Sequence, residues 1–269
     1  MTRVHGAHAV VTGGASGIGR GIAEQLIAAG ARVMISDVDA DAAARTAAEI
    51  GAEWVRTDVS SLESVQELAE AVIGAFGSVD IVVNNAGVGP FARIADLTMA
   101  DWHWMLDVNL YGVIHGVHVF LPILEANENG GHIVNTSSMS ALTPFRTLGA
   151  YAVAKCGVSA LTEVLQLELE EQGSRVRATQ LVPGSVRTNI AQSTRNRPEG
   201  QSGALRDKEL DLSFANSTHW LDPEDVGRIT VRAIENDEPY AITHPDRWPA
   251  VAARFARIET AFRKQAASE

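Results

Sequence analysis

Short apolar runs alternate with longer amphipathic stretches along most of the chain. The runs Ala7–Thr12 and Arg32–Ser36 have the length of buried strands, whereas Ser61–Phe76 carries apolar residues at helical spacing. Parallel strands need long connections, so this alternation predicts a parallel sheet with helices on both faces. The expected fold is therefore α/β, a doubly wound sheet in three layers (α/β/α).

The same alternation continues to the last third of the chain. No internal repeat and no linker interrupts it, which favours a single domain over residues 1–269. The further strands are expected at Glu53–Arg56, Asp80–Val83, His132–Thr136, Arg175–Leu181 and Tyr240–Thr243, and the further helices at Gly17–Ala29, Asp41–Ile50, Asp101–Glu125, Tyr151–Gln172 and Pro223–Asn236.

Two segments depart from this rhythm. Ala191–Ser217 is polar and patternless, which is typical of a functional loop, and we expect a mobile substrate lid at about 189–217; a solvated surface insertion is the alternative. A C-terminal helical extension is expected at about 247–266, because an apolar stripe recurs there at steps of three and four. Docking onto its own domain is favoured for this stripe, with a subunit contact or a wall of the substrate pocket as alternatives: Trp248, Val251, Phe255, Ile258 and Phe262.

Composition narrows the class of protein. Apolar residues make up 46% of the chain and charged residues 20%, as in a soluble globular protein. The formal charge of -11 argues against a nucleic-acid partner. The single cysteine, Cys156, allows no internal disulfide and suits a reducing compartment. Because neither a signal pattern nor a membrane-length apolar run is evident, we expect a cytoplasmic protein without a membrane partner.

A glycine-rich turn, TGGASGIG at residues 12–19, joins the first strand to the first helix. In that context glycines allow a tight turn and a close approach to a pyrophosphate, which the helix N-terminus attracts. Asp37 ends the second strand about 20 residues later, where a carboxylate accepts the ribose hydroxyls of NAD. The same carboxylate repels the 2′-phosphate of NADP, so the sequence predicts NAD rather than NADP.

Tyr151 and Lys155 lie one helical turn apart, with Ser138 thirteen residues before the tyrosine. A phenol with a pKa of about 10 is a poor base at neutral pH, and a fixed ammonium beside it favours the phenolate.

Other kinds of site are not supported by the sequence. Ser138 lacks the G-x-S-x-G context of a hydrolase nucleophile. His115 and His118 lack a third ligand at motif spacing, so no metal site is expected.

Six motifs follow one another in order. They are the glycine turn at 12–19, Asp58-Val59, Asn84-Asn85-Ala86-Gly87, Asn109, the set Ser138, Tyr151 and Lys155, and PGSVRT at 183–188. Together they resemble the short-chain dehydrogenase/reductase family over nearly the whole chain. The resemblance implies a Rossmann fold and an NAD-dependent oxidoreductase, which transfers a hydride between the nicotinamide and a secondary alcohol or ketone.

The resemblance also implies a role for each residue. Tyr151 is expected to be the general acid/base, and Lys155 to lower its pKa together with the charge of oxidised nicotinamide. Ser138 is expected to hold the substrate oxygen, and Asn109 to support a proton relay through a water. Cofactor contacts are expected from Gly13, Ser16, Gly17, Ile18, Gly19, Asp37, Asp58, Val59, Asn85, Ala86, Gly87, Tyr151, Lys155, Pro183, Gly184, Val186 and Thr188.

The partner is expected to be a small-molecule alcohol or ketone. Four residues are candidates for its pocket and favour a hydrophobic compound, although Arg146 and the lid arginines could hold an acidic group: Phe91, Met139, Phe145 and Leu148. A homodimer or homotetramer is expected, and His244-Pro245-Asp246 stands where many family members carry a segment used in tetramer contacts. The alternative function is a catalytically silent nucleotide-binding sensor or scaffold, which would not need the intact Asn–Ser–Tyr–Lys set.

Overall fold

The computed structural model describes residues 1–208 and 219–266. Within them one parallel sheet has the strand order β3-β2-β1-β4-β5-β6-β7, and every neighbouring pair is parallel. This confirms the predicted doubly wound α/β fold. The strands are β1 (His8–Thr12), β2 (Arg32–Asp37), β3 (Glu53–Arg56), β4 (Ile81–Asn84), β5 (Gly131–Thr136), β6 (Val176–Val182) and β7 (Tyr240–Ile242).

Helices cover both faces of the sheet, which makes the three layers. On one face Ile22 and Ile234 pack on the apolar side chains of β1 and β2, and on the other Leu68, Phe120 and Leu165 pack on β4 and β5. The helices are α1 (Gly17–Ala28), α2 (Ala40–Ile50), α3 (Leu62–Phe76), α4 (Met99–Leu106), α5 (Gly112–Ala126), α6 (Met139–Leu142), α7 (Gly149–Glu171), α8 (Pro223–Glu235) and α9 (Trp248–Ala266).

The long helix predicted at Asp101–Glu125 is interrupted. A π-helical turn at Asp107–Tyr111 separates α4 from α5. The Asn109 side-chain amide donates to the Met105 carbonyl at 3.0 Å, the acceptor that the Asn109 backbone N–H would use in an α-helix.

The whole stretch 99–126 is long and apolar enough to cross a membrane by length and composition. Val113 and Phe120 from this stretch belong to the buried core against the sheet.

Helix α9 lies within the extension predicted at about 247–266, but little of its apolar stripe docks onto the domain. Val251 is buried, and the Arg254 guanidinium donates to the carbonyls of Ala141 and Leu142 at 3.1 and 3.0 Å. Beyond these anchors nearly the whole helix is exposed, including the rest of the face that carries Val251. The favoured docking of the whole stripe is therefore wrong, because four of its side chains are 41–75% exposed: Trp248, Phe255, Ile258 and Phe262.

A buried polar column crosses from β4 to α7 below the strand ends. Asn84 donates to Asn135 at 2.9 Å, and Asn135 donates to the Thr162 hydroxyl at 3.1 Å. Helix α5 passes this column so closely that a Cβ on Gly116 would lie 1.9 Å from Asn84 Oδ1. Glycine is therefore required at residue 116 by space.

This contact gives a test of the packing. The Gly116→Ala variant should lose about 1–3 kcal/mol of unfolding free energy, because the added methyl group overpacks a fixed, hydrogen-bonded amide. Urea unfolding measures the change. Gly74→Ala in α3 is the matched control, since a Cβ there meets nothing within 4 Å, and its stability should rise by about 0.5–1 kcal/mol. Equal stabilities of the two variants would contradict this packing.

Candidate active site

A single cleft runs along the carboxyl ends of the strands, where open α/β sheets bind ligands. The strand ends of β1, β2, β4, β5 and β6 each contribute to it. Of the residues predicted to contact a cofactor, all but Gly19 line this cleft: Gly13, Ser16, Gly17, Ile18, Asp37, Asp58, Val59, Asn85, Ala86, Gly87, Tyr151, Lys155, Pro183, Gly184, Val186 and Thr188.

The glycine turn has the shape of a phosphate cradle. Gly13 and Gly17 have φ values of +64° and +52°, which other residues rarely adopt, and a Cβ on Gly13 would lie 2.7 Å from Ala86 Cα. Gly19 serves packing instead, because its Cβ would lie 2.2 Å from the Gly13 carbonyl oxygen. The Ser16 side chain does not cap α1, so the N–H groups of its first turn remain available to an anion. These features fit a dinucleotide.

One threonine hydroxyl fixes the turn to the loop after β4. Thr12 Oγ1 accepts hydrogen bonds from the backbone N–H groups of Asn85 and Ala86, at 2.9 and 3.1 Å. In return, the Asn85 side-chain amide donates to the Thr12 carbonyl at 3.0 Å. The two loops are thus held in one register at the middle of the cleft.

Asp37 lies at the end of β2 with its carboxylate on the cleft. The carboxylate accepts from the backbone N–H groups of Ala15 at 3.3 Å and Asp39 at 3.1 Å. Burial raises the pKa of Asp37, and these two hydrogen bonds offset part of the rise. Among the described residues lining the cleft, the basic side chains are Lys155 and Arg195.

Ser138, Tyr151 and Lys155 meet at the other end of the cleft. The Ser138 hydroxyl hydrogen-bonds the Tyr151 phenol. Lys155 Nζ donates to the Thr136 carbonyl at 2.8 Å and lies 5.7 Å from the Tyr151 ring centroid. The neighbouring Ser137 is excluded from this group, because its hydroxyl donates to the Lys155 carbonyl at 3.0 Å.

Burial disfavours the charged form of both titrating groups. It raises the pKa of Tyr151, while the Ser138 hydrogen bond lowers it in part. Burial also lowers the pKa of Lys155 to about 8. The protein's own groups thus leave the pKa of Tyr151 raised. The expected lowering of that pKa by Lys155 together with an oxidised nicotinamide stays a prediction.

Asn109 lies just behind this group, completely buried in the π-helical turn. Its side chain accepts from the Val88 N–H at 3.2 Å and donates to the Val88 carbonyl at 2.9 Å. A Cβ on Gly87 would lie 2.8 Å from Asn109 Oδ1 and 3.7 Å from Lys155 Nζ, so the asparagine and the lysine flank the same residue. The side chain thus fixes the 87–88 backbone, and its predicted proton relay stays a prediction.

The four predicted substrate residues are not part of the cleft lining. Phe91 instead pairs through its backbone with Arg206, with hydrogen bonds of 2.9 and 3.0 Å, and the Lys208 ammonium lies 5.4 Å from its ring centroid. Phe145 is 72% exposed. Their role toward a substrate stays a prediction. The predicted lid does contribute to the lining, and three further lining residues come from elsewhere in the chain: Ile190, Ser193, Asn196 and Pro198 from the lid, with Val88, Trp104 and Val108.

The segment predicted as a mobile lid is tied down over its described part, 189–208. Ser193 Oγ accepts from the Gly89 N–H at 2.9 Å, and Asp207 accepts from the N–H and hydroxyl of Thr194. Arg197 forms a 2.7 Å ion pair with Asp101 of α4. Residues 209–217 of the predicted lid lie outside the described residues.

Some positioning residues were not identified from the sequence. Gly184 N–H donates to Thr243 Oγ1 at 3.0 Å, Thr243 Oγ1 lies 2.6 Å from His244 Nδ1, and His244 Nε2 lies 3.0 Å from the His219 carbonyl. This buried chain holds the turn after β6 against the end of β7. Motif spacing could not reveal it, because His244 is 60 residues after Gly184 in the sequence.

Comparisons with known proteins agree with this geometry. A sequence profile described as short chain dehydrogenase matches residues 7–199. The chain is 33% identical to a "C alpha-dehydrogenase" of Sphingobium sp. (strain NBRC 103272 / SYK-6) over 93% of this chain and 84% of that protein. It is 36% identical over 88% of its length to "Probable oxidoreductase EphD" of Mycobacterium tuberculosis (strain ATCC 25618 / H37Rv), but spans only 41% of that protein.

A solved structure is also similar over nearly the whole chain. It is a short chain dehydrogenase/reductase from Burkholderia phymatum in complex with NAD. It shares 37% sequence identity with this chain and has a TM-score of 0.90, covering 97% of each chain. This likeness supports an NAD-type nucleotide as the cofactor that fits the cleft.

Removing the Thr12 hydroxyl should lower the free energy of unfolding. Thr12→Val keeps the side-chain shape but leaves the N–H groups of Asn85 and Ala86 without their acceptor, so unfolding free energy should fall by about 1–3 kcal/mol. Thr12→Ser retains the hydroxyl and should lose less. Urea unfolding of both variants decides the point: a Val variant as stable as wild type would show that the hydroxyl does not hold the two loops together.

Proposed function

Because the chain belongs to the short-chain dehydrogenase/reductase family, we propose that it is an NAD-dependent oxidoreductase that transfers a hydride between the nicotinamide and a secondary alcohol or ketone. The observation that carries the proposal is the meeting of Ser138, Tyr151 and Lys155 in the cleft that also contains the glycine turn and Asp37. The name of one relative, "C alpha-dehydrogenase", supports dehydrogenation as the reaction class.

The chain's own residues would handle the proton and the reacting oxygen. A bound nicotinamide supplies the redox chemistry, since it can accept or donate hydride. In the oxidising direction Tyr151 Oη takes the proton of the alcohol, while Ser138 Oγ holds the same oxygen by a hydrogen bond. In the reducing direction Tyr151 returns the proton to the carbonyl oxygen. Asn109 is proposed to support the relay that reloads Tyr151 through Lys155.

Lys155 would contribute charge and position to this proton transfer. With its pKa lowered to about 8 by burial, the ammonium is still protonated at neutral pH. Its bond to the Thr136 carbonyl fixes it one helical turn from Tyr151. A positive charge held there favours the phenolate, and that of the oxidised nicotinamide would add to it.

Asp37 is the basis for proposing NAD rather than NADP. Its carboxylate lies at the end of β2 and is already held by two backbone N–H groups, so it cannot easily turn away from a ribose. It would accept the ribose hydroxyls of NAD and repel a 2′-phosphate.

A non-catalytic nucleotide sensor is the second candidate function. The proposal also includes assembly of the protein as a homodimer or homotetramer.

Replacing the proposed acid/base tests the reaction class. Tyr151→Phe should abolish turnover of secondary alcohols, followed by NADH absorbance, while NADH binding stays close to wild type, because only the titrating hydroxyl is removed. Tyr240→Phe is the control, since Tyr240 Oη hydrogen-bonds Glu163 far from the cleft, and it should keep full activity. More than a few per cent of residual activity in Tyr151→Phe would overturn the role. Wild-type binding of NADH without turnover across a panel of alcohols and ketones would favour the sensor.

Removing the Asp37 charge tests the cofactor preference. In Asp37→Ser the ratio of kcat/KM for NAD to that for NADP should fall at least about tenfold, because both the ribose acceptor and the repulsion of a phosphate are lost. Asp41→Asn removes an exposed acid that does not line the cleft and should leave the ratio unchanged. A wild-type enzyme that prefers NADP would refute the assignment outright.

A further inference from the structure

We propose that the Asp101–Arg197 ion pair is a positioning pair, which holds residues 190–198 as a fixed wall of the substrate end of the cleft and so determines substrate affinity. The inference rests on the proposed function, because it assigns this wall to the substrate of the proposed reaction. It differs from a lid that opens and closes. The observations come from the pair itself, from Trp104 beside it, and from the backbone that links the wall to the catalytic group.

The pair is buried and strongly fixed. Arg197 lies 2.7 Å from Asp101 Oδ1, and the two side chains are 9% and 0% exposed. Asp101 Oδ2 also accepts from the N–H and hydroxyl of Thr98, each at 2.9 Å, and from the Ala204 N–H at 2.8 Å. The same carboxylate thus caps α4 and holds the 197–204 arc. A Cβ on Gly203 would lie 2.0 Å from Asp101 Oδ1, so the chain passes the carboxylate as closely as glycine permits.

The Asp101 charge is maintained by its donors. Burial alone would raise the pKa of Asp101, but hydrogen bonds from Ala204, Thr98 and Arg197 outweigh it and hold that pKa well below its ordinary value. The ion pair therefore persists through the range in which the protein would work. Removing one partner of such a pair leaves an uncompensated buried charge, which is costly.

Trp104 connects the pair to the cleft. The Arg197 guanidinium lies 5.4 Å from the Trp104 ring centroid, and Trp104 itself is buried while lining the cleft. Asp101 and Trp104 are three residues apart in α4, on the same side of the helix. A shift of Arg197 therefore changes the support of an aromatic wall residue as well as the position of the 190–198 segment.

Three consecutive residues lie between the wall and the catalytic group. Gly89 N–H donates to Ser193 Oγ, and a Cβ on Gly89 would lie 3.1 Å from Ile190 Cγ1. The preceding residue, Val88, is hydrogen-bonded to Asn109, and Gly87 lies between Asn109 and Lys155. The wall therefore lies beside the end of the cleft where Ser138, Tyr151 and Lys155 meet.

Kinetics of single variants separate a positioning role from a merely structural one. Arg197→Met should raise KM for the alcohol about tenfold and leave kcat within about twofold, because the wall binds substrate without taking part in proton transfer. Arg197→Lys keeps the charge and should restore part of the affinity. Arg206→Met is the matched control, since within residues 1–208 and 219–266 the Arg206 guanidinium donates to carbonyls of its own loop, Gly203 and Leu205. An unchanged KM in folded Arg197→Met would overturn the proposal.

A double variant distinguishes the proposed loss of substrate affinity from misfolding of Arg197→Met. Asp101→Asn with Arg197→Met removes both charges and leaves no unpaired ion, so it should fold and show the same rise in KM as Arg197→Met alone. NADH affinity should stay within about twofold of wild type in both variants. If NADH affinity fell as much as substrate affinity, the pair would support the whole cleft and the proposed assignment to the substrate end would be wrong.

Amide hydrogen exchange tests the wall without any substrate. Arg197→Met should speed exchange of the amides in 190–208, whereas Arg206→Met should leave their protection unchanged. This measurement stays informative if the wild-type protein turns over no alcohol or ketone, an outcome that would sink the proposed function instead. Unchanged protection in Arg197→Met would show that the pair does not hold the wall.

Discussion

The parallel direction of every strand is the constraint on which the site depends. Parallel strands all end at the same edge of the sheet, so each connection must cross back along a face before the next strand begins. The residues that follow β1, β2, β4, β5 and β6 therefore meet around one cleft, although they are far apart in the sequence. A glycine turn, a carboxylate and a tyrosine–lysine pair can share a site only because the sheet brings their backbones to that edge.

The sheet alone does not fix these groups to the precision that chemistry needs. Polar links between loops provide the rest: Thr12 joins the turn after β1 to the loop after β4, Lys155 joins α7 to the end of β5, and Thr243 joins the end of β7 to Gly184. Each link pairs a buried donor or acceptor that would otherwise be unsatisfied. Breaking such a link costs free energy, so the links hold these loops in place at the edge of the sheet. We proposed the same role for the Asp101–Arg197 pair at the wall.

Local patterns in the sequence predict those features that depend on local physics. The strand and helix periods, the glycine turn and the tyrosine–lysine spacing are properties of short windows of sequence. The structure has the predicted sheet, and the glycine turn, Tyr151 and Lys155 line one cleft. The π-helical turn at Asp107–Tyr111 was not predicted, because it depends on a contact between Asn109 and Val88 from another loop. The hydrogen bond between Ser193 and Gly89, which are 104 residues apart, was not predicted for the same reason. Contacts of this kind follow from the tertiary arrangement and leave no periodic trace in the sequence.

Burial sets the remaining condition on the proposed mechanism. It disfavours charge on both partners, so it raises the pKa of Tyr151 and lowers that of Lys155 to about 8. At neutral pH the protein's own groups thus hold a protonated phenol beside an ammonium, and the phenol is a weak base. A further positive charge near Tyr151 would be needed to favour the phenolate, and an oxidised nicotinamide would carry that charge. In the opposite direction a raised pKa would keep Tyr151 protonated, so that its proton is available when the carbonyl oxygen gains negative charge. One pair of residues could therefore serve both directions of the reaction, with the charge of the cofactor deciding which is favoured.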